Sequence, residues 1–237
     1  MKRKKIVMSF ILTMLFAFYL SAAGQSDEGV KTEKNPREIL KKAKEAMLGK
    51  GKIRSFISTS DSLQSKIYCI FKKDGSILYR DENKMNLGDR KMEKVTIFKK
   101  TGCWMIIDSS FSIFSTFRKI SFFIPKIIIS KESQYTFDNK GLESNYYLVK
   151  EKFKNKEIVR VYKIDKDNYF VYNITDILEN GDKKVIKDFG KVEFNVDIDK
   201  SKFQIDNNIK VTSAKTKKEE VAIMGMKLRD YYLKCPK

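Results

Sequence analysis

The sequence predicts a mainly β, α+β protein: one strongly bent antiparallel sheet that forms an unclosed barrel, with helices as its lids. Three observations carry this. Turn signals recur about every ten residues in two halves of the chain, as in an antiparallel meander. An amphipathic helix precedes the first strands, and a long apolar stretch, SSFSIFSTFRKISFFIPKIII (109–129), separates the two sets of hairpins. A single sheet cannot bury both of its faces unaided, so helices must cover its concave side.

The chain opens with a basic segment (Lys2, Arg3, Lys4, Lys5), an apolar run over residues 6–20 and the small residues Ser21-Ala22-Ala23. This is the three-part pattern of an export signal, with cleavage expected after Ala23. The run falls short of the roughly 20 apolar residues that span a bilayer, and no Cys follows it to take a lipid. The mature protein is therefore expected to be exported. Residues 24–34 read as a polar leader, 35–212 as the half-barrel and 213–237 as a helical tail.

In NPREILKKAKEAML, Asn35 can cap, Pro36 suits the first helical position, and Glu38 follows three residues after the cap. Ile39, Ala43 and Met47, joined by Leu40 and Leu48, form one apolar stripe, and Gly49 and Gly51 end the helix. The period then changes to two. IRSFISTS (53–60) alternates, SKIYCIFKKDGSILYRDE turns at Asp74-Gly75, and KVTIFKKTGCWMIID turns at Thr101-Gly102. Residues 83–93 read as a polar loop. In the apolar stretch, Ile113 or Phe114, then Phe117, Ile120 and Ile124 keep helical spacing until Pro125, so a second helix is predicted over 110–124 and a short extended run over 127–129. Further hairpins turn at Asn155-Lys156 and Asn180-Gly181, with Gly190 at a break in the last strands. The tail starts with a capping box, Thr216 with Glu219, and continues as a helix on Val221, Met224, Leu228 and Tyr231 or Tyr232.

The sequence contains no histidine, which removes the imidazole base of Ser-His-Asp and Cys-His nucleophile systems and the usual ligand of zinc and mononuclear iron sites. Paired carboxylates such as Asp197/Asp199 and Glu219/Glu220 lie scattered among lysines, and no glycine loop is built to cradle phosphate. No enzyme, cofactor or metal is therefore expected. Cys69, Cys103 and Cys235 allow one disulfide and leave its pairing open. The 49 basic and 30 acidic residues give +19; loss of four basic residues with the signal leaves +15. Such a charge serves either as a lysine-rich solvated surface or to draw the protein to an anionic membrane face. Nucleic acid is not an expected partner of an exported protein.

NPREILKKAKEAM leading into IRSFISTS, then FKKDGSILYRDE, TGCWMIID and the closing DKDNYFVYNITDILENGDKKVIKDFGKVEFNVDIDKSKFQI, together resemble the LolA-like family of outer-membrane lipoprotein-sorting proteins over residues 36–206. The resemblance implies an unclosed barrel around a lipid-binding cavity that shields acyl chains in the periplasm on the way to the outer membrane. Residues expected to line the cavity are Phe56, Ile67, Ile77, Tyr79, Ile97, Trp104, Phe114, Phe117, Ile120 and Phe123. Arg54 is the counterpart expected for the arginine that holds the lid shut in such carriers. The expected function is a carrier of lipid or lipoprotein acyl chains. The alternatives are a sensor or regulatory module on the same fold, which binds a lipidated ligand and a membrane-protein partner, or an exported interaction domain whose apolar insert is ordinary core.

Overall fold

The computed structural model describes residues 35–61, 64–87, 90–138, 145–154 and 156–234. The chain divides into two units, Met1–Asn35 and Pro36–Lys237, and the fold is that of the second. The expected signal and leader, residues 1–34, lie outside the described residues.

Helix α1 (Pro36–Met47) leads into a meander of β1 (Ser55–Ser60), β2 (Ser65–Phe71), β3 (Ile77–Leu87), β4 (Arg90–Lys99), β5 (Gly102–Ile107) and β6 (Phe111–Ser115). A 3-10 turn (Ile120–Phe122) and irregular chain connect to β7 (Gln134–Phe137), β8 (Tyr146–Lys152), β9 (Val159–Asp165), β10 (Val171–Ile177) and β11 (Lys183–Asp188). Then come β12 (Lys191–Phe194), a second 3-10 turn (Lys200–Phe203), β13 (Val211–Ala214) and helix α2 (Lys217–Lys234). The strands form an eight-stranded sheet, β12-β1-β2-β3-β4-β5-β6-β13, and a five-stranded sheet, β11-β10-β9-β8-β7. All described pairings are antiparallel except that of β13 with β6, which is parallel.

The two sheets are joined at one corner. Phe189 donates its N–H to the Tyr172 carbonyl of the smaller sheet at 2.9 Å and accepts the Ser58 hydroxyl of the larger one with its own carbonyl. Gly190 follows with φ +58°, and β12 leaves to pair with β1. The break expected at Gly190 is thus the hinge of an unclosed barrel, whose free edges are β7 and β13.

Helix α1 buries Ile39, Leu40, Ala43, Ala46 and Met47. Full burial of a side chain the size of Ile39 is worth about 1.5–3 kcal/mol. The helix ends in a Schellman turn: Lys50 N–H reaches the Glu45 carbonyl at 3.0 Å and Gly49 N–H the Ala46 carbonyl at 3.0 Å. Gly49 has φ +73°, and a Cβ there would lie 2.4 Å from the Phe71 ring.

Three expectations fail. Within the predicted loop over 83–93, residues 83–87 and 90–93 are paired strand, since β3 and β4 stay in register out to Leu87 opposite Arg90. The predicted helix over 110–124 is instead strand β6 followed by the short 3-10 turn. A three-residue turn, Asp108–Ser110, with Asp108 (φ 43°) and Ser109 (φ 53°) left-handed and Ser110 N–H on the Ile107 carbonyl at 2.8 Å, lays FSIFS along the edge of β5. Five β-rich residues beside an open edge gain ladder hydrogen bonds that an isolated helix turn cannot match. No regular extended run forms over 127–129 either.

The tail belongs to the same compact unit. Helix α2 packs Ile223, Met224 and Leu228 on Met92, Ile107, Phe111 and Ile113. Met224 and Leu228 face inward as expected, but Val221 is 61% exposed. The helix starts with Thr216 accepting the Glu219 N–H at 3.2 Å, while the Glu219 carboxylate accepts from Lys215 N–H at 2.7 Å, one residue before the expected partner.

Candidate functional site

Strand parity decides which side chains reach the concave side. Phe56 lies opposite Cys69, Cys69 opposite Tyr79, and Tyr79 opposite Phe98, so these share one face. Phe56, Ile67, Ile77 and Tyr79 therefore meet in the main core, with Ile120 and Phe123 packed against it. The other expected lining residues do not join them. Ile97 and Trp104 point to the convex face, where Ile198, Phe203, Ile205 and Ile209 cover them. Phe114 packs against Trp104 with ring centres 4.6 Å apart and planes tilted by 33°, also on that side. Phe117 packs in the cluster under α2. For these four the expected lining is off by one residue or by one element.

Among the described residues, aromatic side chains of both sheets pack against one another on the concave side. Phe56 packs edge-on against Phe170 at 5.1 Å and Phe189 at 5.7 Å, and all three are fully buried. Helix α1 and the segment after β6 close the space, with Ile124 and Ile127 buried and Phe123 stacked on Tyr79 at 5.3 Å. On the inner face of the smaller sheet, Glu151 accepts hydrogen bonds from Tyr135 (2.9 Å) and Tyr162 (2.7 Å), and Arg160 grips Asp176 at 2.7 and 2.9 Å. Burial, then the Glu151 carboxylate, push the Tyr162 hydroxyl well above its ordinary range.

Among the described residues, a cleft of about 580 Å³ opens at the mouth, where the strand ends and the C-terminus of α1 meet. Its apolar surface comes from Leu48, Phe71, Ile77, Phe98 and Ile120. Its rim carries Lys50, Arg54, Lys72, Lys73 and Lys100 against one acid, Asp74. Hydrogen bonds from the Ser76 hydroxyl and N–H hold the Asp74 carboxyl below the usual range. The cleft volume lies within the roughly 300–1,000 Å³ of small-molecule sites.

Arg54 belongs to this rim. Its N–H donates to Asn195 Oδ1 at 2.8 Å and its side chain is exposed. The arginine that ties helix to lid segment is Arg37, which donates to the carbonyls of Lys131 (3.1 Å) and Ser133 (3.0 Å) and lies 5.1 Å from the Tyr135 ring centre. The sequence marks Arg37 only as an early helical residue; its partners lie more than ninety positions away.

A second fastening holds α2. Glu220, 4% exposed, accepts from Ser115 Oγ at 2.6 Å and from two nitrogens of Arg118, one at 2.7 Å. Burial alone would raise this carboxyl, but the Arg118 and Ser115 hydrogen bonds outweigh it and hold the group below its usual 4.5. Such a carboxylate stabilises the fold fully above the unfolded value, and that contribution fades as pH falls through the lower folded one. Glu220→Gln should cost about 1.5–3 kcal/mol at neutral pH. Urea midpoints of variant and wild type should converge as the pH drops below 4.5.

Cys69 and Cys103 are free and buried, on β2 and β5 with two strands between them, so they do not pair with each other. Burial pushes the Cys103 thiol up to about 12. Cys235 lies outside the described residues. Among the described residues no cluster of His, Cys, Asp and Glu is placed to hold a metal ion, and no helix is long and apolar enough to cross a membrane.

Fold and cleft together define an open half-barrel with a cation-rimmed apolar mouth. No protein-family model matches the chain, and no curated protein matches it in sequence. Among solved structures it is similar to the crystal structure of MucB, with a TM-score of 0.49 and 12% identity over 73% of this chain and 63% of that one. The complex of Pseudomonas aeruginosa MucA and MucB gives a TM-score of 0.45 and 11% identity over 71% and 60% of the two chains. MucB in complex with MucA(peri) gives 0.48 and 12% over 76% and 63%. The chain spans about three fifths of the length of the MucB chains it matches.

Proposed function

We propose that this is a non-enzymatic envelope protein that binds the acyl chain of an anionic lipid or lipoprotein in its mouth cleft. It acts as a sensor or regulatory module in the periplasm and passes occupancy on to a protein partner. The observation that supports this reading is the pairing of an apolar floor (Phe71, Ile77, Phe98, Ile120) with a rim of five cations. Each CH₂ moved from water to such a floor is worth about 0.8 kcal/mol, while the rim favours a negative head group. The LolA-like resemblance of the sequence belongs to the same proposal.

A carrier is the second reading, favoured by the open edges of the bent sheet. The sensor reading ranks first because Phe56, Phe170 and Phe189 already fill the interior. A guest must then lodge at the mouth or displace the lid segment, which suits one chain read out by a movement better than bulk cargo.

Displacement of a fluorescent fatty acid tests the site. Ile120→Asp should weaken binding at least tenfold, and Ile120→Ser, which brings no charge to this half-buried position, should weaken it in the same direction with a smaller loss of stability. Equal binding by variant and wild type would sink the cleft as the site. Release of bound chains to acceptor vesicles would favour the carrier; retention, with a protein partner bound, the sensor.

A further inference from the structure

We infer that the mouth end and the lid beside it form a docking surface for an anionic lipid bilayer, a reading that deepens the cleft proposal by placing the site against the source of its ligand. The two ends of the larger sheet differ in charge. At the mouth, five cations face Asp74 alone. At the far end, a groove of similar size sets Lys66, Lys84 and Lys91 against Asp61, Glu82 and Glu93, an even balance. Between these two ends, the excess positive charge lies at the mouth.

The lid extends this positive field. Helix α1 buries its apolar stripe and turns Lys41, Lys42 and Lys44 outward, with Glu38 and Glu45 as its exposed acids. The segment that runs beside it, tied to the helix by Arg37, exposes Lys119, Lys126 and Lys131 with Glu132. None of Lys41, Lys44, Lys119, Lys126 and Lys131 forms an ion pair among the described residues.

Two apolar side chains stand within this field. Ile128 is 60% exposed between Lys126 and Lys131, although its neighbours Ile124 and Ile127 are buried, and Leu48 is 40% exposed at the cleft. Lysines around protruding aliphatic side chains match the interface of an anionic bilayer, where the charges meet head groups and the aliphatic tips enter the acyl boundary. A second copy of this chain would bring like charge against like charge, and an acidic protein would offer no acyl layer for Ile128.

The test uses the full mature chain with phosphatidylcholine vesicles, with and without phosphatidylglycerol. Wild type should float only with the anionic vesicles, and less as salt is raised, since exposed charges are screened beyond about 8 Å at physiological ionic strength. An environment-sensitive dye on Ile128→Cys, in a Cys235→Ser background, should shift to the blue on the same vesicles. Lys126→Glu/Lys131→Glu should weaken vesicle binding roughly tenfold or more. It should leave displacement of a soluble fatty acid unchanged, because neither residue lines the cleft. Should that pair disturb folding, Ile128→Asp supplies the same comparison at one exposed position. Equal flotation on neutral vesicles, wild-type binding by the charge-reversed pair, or no dye shift would overturn the proposal. Tight binding of soluble poly-glutamate without a dye shift would do so too, by assigning the face to an acidic protein. Unchanged fatty-acid binding in Ile120→Asp, with wild-type flotation on anionic vesicles, would defeat the cleft and leave the docking surface standing.

Discussion

Gly190→Ala should lower the unfolding free energy by about 2–5 kcal/mol, the sum of a left-handed backbone imposed on an L-residue and an overpacked contact. The corner leaves no room for a side chain. A Cβ at Gly190, where φ is +58°, would stand 2.3 Å from the Thr59 carbonyl oxygen and 2.9 Å from Ser60 Cα. Both obstacles are backbone of β1, the strand that β12 must reach, so neither can rotate away. Relief requires β1 and β12 to part, which opens the joint between the sheets. Urea unfolding of the variant measures the effect. A loss below about 1 kcal/mol, the ordinary scale of a surface change, would mean that the two sheets are not tied at this point.

Phe56→Ala should cost about 3–5 kcal/mol, as expected for removing a fully buried aromatic ring whose surroundings cannot collapse. Its ring meets Phe71, Phe170 and Phe189, which come from β2, the end of the β9–β10 turn and the corner. One truncation therefore loosens both sheets at once. Phe114→Ala should cost far less, because Phe114 is half-exposed on the convex side. If Phe56 lined an empty cavity instead, its loss would enlarge that cavity and enhance acyl binding at little cost in stability. Unfolding and fatty-acid titrations on the same pair of variants separate the two outcomes.

Much of the scaffold was legible because it is local. The stripe of α1, the turns at Asp74-Gly75 and Asn180-Gly181, and the break at Gly190 each follow from residues a few positions apart. The apolar stretch was not, because Ile113, Phe117, Ile120 and Ile124 fit a helical period while FSIFS also fits a strand, and only the free edge of β5 chose between them. The site was half-legible for a related reason. Phe56, Ile67, Ile77 and Tyr79 reach the core, but a shift of one residue sends Ile97 and Trp104 to the opposite face. Phe98, their neighbour on the mouth side, carries no mark in sequence that sets it above Ile97.

The sequence by itself determined an α+β chain of hairpins, a positive charge, the absence of histidine chemistry and a glycine at the bend, since each depends on composition or on neighbouring residues. Only the tertiary structure decided that aromatics of both sheets pack together on the concave side, that Arg37 ties helix α1 to the segment after β6, and that five cations meet at the mouth. These depend on which distant strands share an edge and a face, and a single chain read in order carries no record of that pairing.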